Sequence, residues 1–465
     1  MKYHLLHLGC QMNQSDAERV RTVVERMGYE RTDSEEEADL LGVVACSVRQ
    51  KAIDKVYARI DRWNRWKRRR SLLTFATGCI LPADRDKLVP MFDLLFDIAE
   101  LPGLPAMIGQ HGVVTPVSAR GPLIAEEMDR EGGDAGRGEA SSAASATPEP
   151  TAFWKIGPTY SSRFEAYVPI QNGCDKFCTF CAVPYTRGPE ISRSSDEILE
   201  EIRGLLARGF VSFTLLGQNV NSYGKDRPGA ERTFPELLRE VGAMCDTAGR
   251  ESRVYFTSPH PRDMSEASLR VIADHRSLAR QIHLPLQSGD DRVLVRMNRS
   301  YQVEDYRRIV ARVRDMLPEA TLFTDIIVGF SGETEKQFEN TRRAMREFRY
   351  NMAYVAMYSP RPGAASAHWP DDVPHEEKAR RLHVLSEELA HTGLEENQRM
   401  IGRTVRLLVE GPDRRAGYLT GRTEGRIPVR FASTDLALAG RFVDVRISSV
   451  APLSMEGGLH GGQDR

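Results

Sequence analysis

The chain has 465 residues, a formal net charge of −1 and 28% charged residues, which is long enough for two or three soluble domains. Near-neutrality excludes a global attraction to nucleic acid, so any such binding must come from local basic surface. No apolar run reaches the length of a membrane span, no secretory signal is in view ahead of the strand-like start at Tyr3, and the odd count of seven cysteines argues against a disulfide framework.

Residues 1–120 read as alternating strands and helices. Apolar runs at Tyr3–Leu8, Asp39–Ala45 and Ser71–Ala76 have strand length and Val/Leu/Phe content. One helix is expected from Ser15, with Glu18 completing a capping box, to about Gly28; a second is expected from about Lys51 to Trp66. Strand–helix–strand order predicts a doubly wound parallel sheet. Each strand leads into a cysteine: Cys10, Cys46 and Cys79. The carboxyl ends of such strands line one crevice, so three cysteines far apart in sequence can meet on one cluster. A lone cysteine at a strand end is ordinarily a core thiol; three in succession read as ligands. The stretch Arg59–Arg70 carries six arginines and Lys67 around Trp63 and Trp66. The tryptophans read as core anchors, with base stacking as the alternative.

Residues 121–160 break the pattern. Between Gly121 and Pro150, Gly132-Gly133, Gly136, Gly138 and the small-residue run 140–146 mix with acidic residues and prolines. This composition reads as a flexible linker or insertion.

Over residues 161–398 the alternation resumes. Strands are expected at Ala166–Ile170, Val211–Leu216, Arg253–Thr257, Gln281–Leu286, Thr321–Val328 and Met352–Tyr358. Helical patterns at Asp196–Ala207, Phe234–Cys245, Glu304–Met316 and Glu335–Phe348 separate them. Six β/α units predict a six-stranded partial barrel, with its chemistry on loops at the carboxyl ends of the strands. Cys174, Cys178 and Cys181, spaced C-x3-C-x2-C, fall just after the first strand. Three thiolates leave one iron of a 4Fe–4S cubane without a protein ligand, and an open iron is a chemical site rather than a relay. A structural zinc needs four ligands, and no cysteine or histidine lies near enough in sequence to supply the fourth. Two such groups of three suggest an enzyme that binds different reactants at two clusters. Cys245, in a helical pattern, reads as a small buried side chain. No conventional acid–base pair is visible, and Gly332-Glu333 reads as a loop entering the next helix.

Residues 399–456 form a separate module. A helix from Glu376 to about Met400 ends at Gly402. Short strands at Thr404–Val409, Tyr418–Arg422, Arg426–Phe431 and Arg441–Ile447 then predict a small antiparallel β-barrel of a kind that binds RNA. From Arg399 to Arg430 there are eight arginines and no lysine against Glu410, Asp413 and Glu424, a balance of +5 that favours phosphate contacts.

The motifs around the cysteines resemble one family. C-x3-C-x-aromatic-C, with Phe180 as the aromatic, is similar to the signature of radical S-adenosylmethionine enzymes. The stretch from Cys181 to Gly188 with Glu190, Ser192 and Arg193 resembles the methylthiotransferase branch. So do Leu215-Leu216-Gly217-Gln218-Asn219-Val220-Asn221 and Leu284-Pro285-Leu286-Gln287-Ser288-Gly289. The C-terminal module resembles the TRAM domain that closes such chains, and the likeness spans nearly everything outside Gly121–Ser161. Gly9-Cys10-Gln11-Met12-Asn13 resembles the form in enzymes acting on N6-dimethylallyladenosine of tRNA. The branches acting on a ribosomal-protein aspartate and on threonylcarbamoyladenosine typically carry Pro-Lys-Asn and Lys-Val-Asn after that cysteine.

This resemblance implies two 4Fe–4S clusters, one on Cys10, Cys46 and Cys79 and one on Cys174, Cys178 and Cys181. It implies S-adenosylmethionine as both radical source and methyl donor, and methylthiolation at C2 of the prenylated adenosine beside the anticodon. Phe180, Gln218, Asn219, Ser258, Gln287 and Ser288 are then candidates for contacting S-adenosylmethionine, with turn and cap chemistry as the ordinary alternative for each. A tRNA partner, a flavodoxin- or ferredoxin-like electron donor, a sulfur source and a cytoplasmic setting follow from the same likeness, with no membrane involved. The alternatives are the two other substrates, an RNA-binding cluster protein without turnover, and an electron carrier. One departure stands out: Val44-Ala45 replace the family's usual Asn-Thr before Cys46, which puts the local loop in question but not the ligand.

Overall fold

The computed structural model describes residues 1–48, 50–111 and 151–461, in two compact units, Met1–Ser161 and Ser162–Arg465. Of the stretch read as linker, residues 121–150 lie outside those described.

In the first unit five parallel strands, β1 (Lys2–Leu8), β2 (Glu30–Arg31), β3 (Leu40–Cys46), β4 (Leu73–Cys79) and β5 (Leu94–Leu95), stand in the order β2-β1-β3-β4-β5. This order reverses between β1 and β3, and doubly wound sheets bind ligands at that switch point. β3 is buried along its whole length, which is why it reads as an unbroken apolar run. The helix Gln50–Lys67 lays Ile53, Val56, Ile60 and Trp63, spaced three and four apart, against Leu41, Val43 and Ala45. Trp63 is fully buried, and its indole N–H donates to Glu35 at 2.9 Å. It is a core anchor. Trp66 packs at the edge of the same core, with the Arg62 and Arg70 guanidinium groups 5.3 and 5.6 Å from its ring centroid.

The third expected strand, β4, runs two to three residues later than the expected Ser71–Ala76 and takes in Cys79, and two larger differences from expectation stand beside it. The first helix starts at Gln11 rather than Ser15, because the Asn13 side chain accepts the Cys10 amide (3.3 Å) and closes the first turn. Ser15 and Glu18 are therefore interior and buried rather than capping. Residues 151–160 belong to the first unit. Phe153 and Trp154 are buried there, and the Thr159 amide donates to the Glu18 carbonyl at 3.1 Å. Two adjacent aromatics give an otherwise polar stretch the apolar surface to dock.

The second unit begins with β6 (Glu165–Pro169), followed by a small antiparallel pair, β7 (Gln171–Asn172) and β8 (Ile191–Ser192), that brackets the cysteine loop. Next come β9 (Ser212–Leu216), β10 (Arg253–Phe256), β11 (Gln281–His283), β12 (Thr321–Val328) and β13 (Met352–Met357). β6-β9-β10 and β11-β12-β13 are parallel sheets joined by a parallel bridge from Val254 to Leu278, which completes the six-stranded partial barrel. The long helix His375–Gln398 then leads into β14 (Thr404–Pro412), β15 (Tyr418–Thr423), β16 (Pro428–Ala432), β17 (Phe442–Ala451) and β18 (Ser454–Leu459). These close a five-stranded barrel around Val405, Leu407, Val429, Phe431, Val445 and Ile447. The fifth strand was not expected, and it pairs with β16 in parallel. Its Gly457 hides it in the sequence, yet a Cβ there would come within 2.3 Å of the Arg446 carbonyl.

The small barrel is fastened to the amino ends of the larger barrel's strands. Arg253, the first residue of β10, donates to the Arg406 and Arg422 carbonyls at 2.8 and 3.0 Å. Arg426 reaches Thr214 at 2.8 Å and lies 4.0 Å over the Tyr255 ring. The cysteine loop follows β6 at the opposite rim. No helix among the described residues is long and apolar enough to cross a membrane.

Candidate functional site

Cys46 and Cys79 are direct register partners at the carboxyl ends of β3 and β4, and Cys10 follows β1. Cys46 and Cys79 are buried, and Cys10 is half-buried. Asn13 ties the three together from a fully buried position. Its amide nitrogen donates to the Ala45 carbonyl at 3.0 Å and to Cys79 Sγ at 3.7 Å, and its oxygen lies 3.4 Å from Cys10 Sγ. Two glycines make room for this arrangement. A Cβ on Gly9 would sit 2.2 Å from Asn13 Oδ1, and Gly78, at φ +109°, would place one 2.5 Å from the Ala45 carbonyl. Val44 and Ala45 are fully buried in β3 opposite Thr77 and Gly78, so the strand runs straight into Cys46 and no polar turn residue is needed. The buried hydroxyls of Ser47 and Thr77, beside Cys46 and Cys79, have no hydrogen-bond partner among the described residues.

The second triad occupies one loop. Gly173, at φ +81°, starts it where a Cβ would collide with the Pro189 carbonyl at 1.8 Å. The Cys174 amide donates to the Gly188 carbonyl at 3.2 Å, and the Cys181 amide to the Cys178 carbonyl at 2.9 Å. Burial pushes the Cys174 thiol up to about 11 and the Cys181 thiol up to about 12. The Arg299 guanidinium donates to Cys178 Sγ at 3.2 Å.

Around this loop runs a buried polar network. Asp263 holds Lys176 and Lys225, each at 2.7 Å, and accepts from Asn219 at 3.2 Å. Burial alone would raise the Asp263 carboxyl, but these donors hold it well below the usual carboxylate range. His260 is pushed down to about 2 by burial and the nearby Arg299 charge, so its ring is neutral.

The six candidates for S-adenosylmethionine contact lie on the triad's rim in differing states. The Phe180 ring packs edge-on against Phe330 at 6.5 Å. Asn219 is filled by Ser222, Asp263 and the His260 amide, and Ser288 accepts the Asp290 amide at 3.3 Å. Both do turn and cap work. Gln218 Oε1 is buried without a partner among the described residues. Ser258 and Gln287 adopt left-handed backbone, φ +57° and +71°, in the segments that follow β10 and β11, the kind of strain that clusters at ligand sites. Sequence reasoning missed Asp263, His260 and Arg299, which sit in stretches without a cysteine or a glycine signal.

Among the described residues no three His, Cys, Asp or Glu side chains converge to hold a single metal ion. A cubane takes one thiolate on each of three irons, so it asks for a different spacing. The donor sets fit it: three cysteine thiols at each site, buried hydroxyls without a partner among the described residues beside one triad, and a buried guanidinium on the other.

Three family models match: the radical SAM superfamily over residues 168–345, the uncharacterized protein family UPF0004 over residues 2–96, and the TRAM domain over residues 398–459. The tRNA-2-methylthio-N(6)-dimethylallyladenosine synthase of Yersinia enterocolitica is 38% identical over 475 residues, covering 100% of this chain and 93% of its own. The chain belongs to this family. The synthases of Cronobacter sakazakii and of Escherichia coli O81 are also 38% identical, covering 98% of this chain and 92% of their own. Among solved structures, the radical S-adenosylmethionine methyltransferase TsrM of Kitasatospora setae aligns at TM-score 0.49 and 15% identity, over 88% of this chain and 79% of its own.

Proposed function

We propose that the chain is a radical S-adenosylmethionine methylthiotransferase that converts N6-dimethylallyladenosine beside the anticodon of tRNA to its 2-methylthio form. The observation that carries this reading is the full-length relationship to synthases of that name, at 38% identity over 100% of the chain. Cys174, Cys178 and Cys181 would hold one 4Fe–4S cluster and Cys10, Cys46 and Cys79 the other. When bound, the first would supply the electron that cleaves S-adenosylmethionine, and the second a site for the sulfur that is methylated and transferred. The chain's own residues position these groups: Asn13 holds the strand-end thiols, Gly173 bends the loop, and Gln218, Ser258 and Gln287 offer polar contacts on the rim. An electron donor of the flavodoxin or ferredoxin type, a sulfur source and the cytoplasm as the site of action complete the proposal.

The tRNA contact is narrower than the charge count suggests. Arg399 pairs with Glu396, Arg406 with Glu251, Arg422 with Glu410, and Arg415 and Arg430 with Glu456, while Arg426 is turned into the larger barrel. Arg403 and Arg414 are exposed and have no ionic partner among the described residues. These two are the phosphate contacts we expect. Replacing both by Ala should weaken tRNA binding and lower the salt slope by about 1 to 2 units, whereas Arg422→Ala should leave the slope unchanged.

Anaerobic turnover with prenylated tRNA, threonylcarbamoyl-tRNA and the ribosomal protein, read by mass spectrometry, tests the substrate. A methylthio product on prenylated tRNA alone is expected; a product on the ribosomal protein with prenylated tRNA untouched would overturn the assignment.

A further inference from the structure

The segment from Arg296 to Tyr301 is sewn onto the cysteine loop. The Thr179 amide donates to the Met297 carbonyl at 3.1 Å, and the Thr179 hydroxyl to the Arg296 carbonyl at 2.8 Å. Asn298 donates to the Phe177 carbonyl at 3.0 Å, and Arg299 Nη1 to Cys178 Sγ at 3.2 Å. Asn298 and Ser300 both take left-handed backbone, φ +56° and +55°, an uncommon trace for non-glycine residues that the surrounding contacts must enforce.

Arg299, between them, is 5% exposed. Its remaining donors meet the Tyr301 hydroxyl at 3.2 Å and the Pro285 carbonyl at 3.1 Å. Among the described residues no carboxylate pairs with it. Arg193 and Arg381, buried to a similar degree, each face carboxylates: Glu197 and Glu201 for the first, Glu333 and Glu377 for the second. A buried guanidinium without a counter-ion is costly. The acidic groups it touches are the Tyr301 phenol, which burial keeps protonated, and the Cys178 thiol. A thiolate carrying a cluster would supply the missing negative charge.

We propose that Arg299 is a positioning residue for the barrel cluster: it donates a hydrogen bond to the Cys178 thiolate and, with its charge, raises that cluster's reduction potential. Hydrogen bonds to the ligand sulfurs and the net charge around a cluster are the levers by which a protein sets this potential. An electron added beside a buried cation is stabilised, so the effect favours the reduced cluster that cleaves S-adenosylmethionine. The inference rests on the reading of Cys174, Cys178 and Cys181 as cluster ligands.

The test is an EPR-monitored redox titration of the full chain carrying C10A, C46A and C79A, so that only the barrel cluster reports. Arg299→Met should still bind about four irons per chain. Its cluster should be at least about tenfold harder to reduce, a midpoint about 59 mV lower for a one-electron couple. Arg299→Lys, which keeps the charge without the fork, should shift the same way by less. An unchanged midpoint in Arg299→Met overturns the proposal. Should Arg299→Met bind no iron, Arg299→Lys decides alone: a lowered midpoint upholds the proposal and a native one overturns it. A parent protein that binds no iron refutes the ligand reading instead.

Discussion

Cys174, Cys178 and Cys181 come from a single loop, whereas Cys10, Cys46 and Cys79 come from the ends of three strands of a sheet. The loop triad is held by local devices: a left-handed Gly173, the flanking pair of β7 and β8, and the segment carrying Arg299. The strand-end triad has no such loop. Its geometry is the register of β3 on β4, which sets Cys46 against Cys79, with Asn13 bringing in Cys10. A site made by a loop fails when the loop fails; a site made by a sheet fails when the sheet shifts.

The largest effect expected follows from removing the loop triad. Replacing Cys174, Cys178 and Cys181 by Ala should abolish 5′-deoxyadenosine formation and lower the iron content from about eight to about four per chain, measured by iron analysis and mass spectrometry. Retention of both clusters would erase the distinction between the two sites.

A fold-level change should strike only the other site. Gly42 lies on β3 where a Cβ would meet the Phe75 ring at 2.1 Å. Gly42→Val should therefore destabilise the first unit by about 1–3 kcal/mol and deplete the strand-end cluster, while cleavage of S-adenosylmethionine persists. Asn13→Ala is a milder version. It removes the hydrogen bond that the Asn13 amide gives the buried Ala45 carbonyl, a cost of about 1 kcal/mol visible as a lowered urea midpoint, and should speed iron loss from the strand-end triad in a chelator challenge. Equal loss from both sites would contradict the separation.

The smallest effect is in alkali. With no cluster loaded, burial raises the Cys174 and Cys181 thiols to about 11 and 12, above their ordinary value of 9.0. The unfolded chain then ionises first, so this contribution to stability is complete below about pH 9 and is lost as the pH rises toward the folded values. The urea midpoint of the apo protein should fall over that window, and Cys174→Ala with Cys181→Ala should flatten the decline. An unchanged slope would show that these thiols are not desolvated.

Much of this was legible in the sequence because it is carried by pattern. Apolar runs of strand length marked β1, β3, β4 and the six barrel strands, and the cysteines sit where those runs end. The compact triad announces itself by spacing. What escaped depends on contacts between distant residues. Nothing about Arg299 in sequence shows that it lies on Cys178, 121 residues away, or that it lacks a carboxylate. The start of the first helix was misplaced because Ser15 and Glu18 mimic a capping box, while the Cys10–Asn13 pair does the capping. β18 was missed because Gly457 and Gly458 have low strand propensity, although Gly457 is needed for the close approach to β17. The arginine count of the small barrel overstated its free charge, since pairing with Glu251, Glu410 and Glu456 is a tertiary fact.

The central claim, that two separate cysteine triads divide the chemistry, is tested most directly by one anaerobic reaction with prenylated tRNA. The enzyme is the full chain carrying Cys10→Ala, Cys46→Ala and Cys79→Ala. The account predicts 5′-deoxyadenosine in the mixture and no methylthio product on the tRNA. Methylthiolated tRNA from that protein would contradict it.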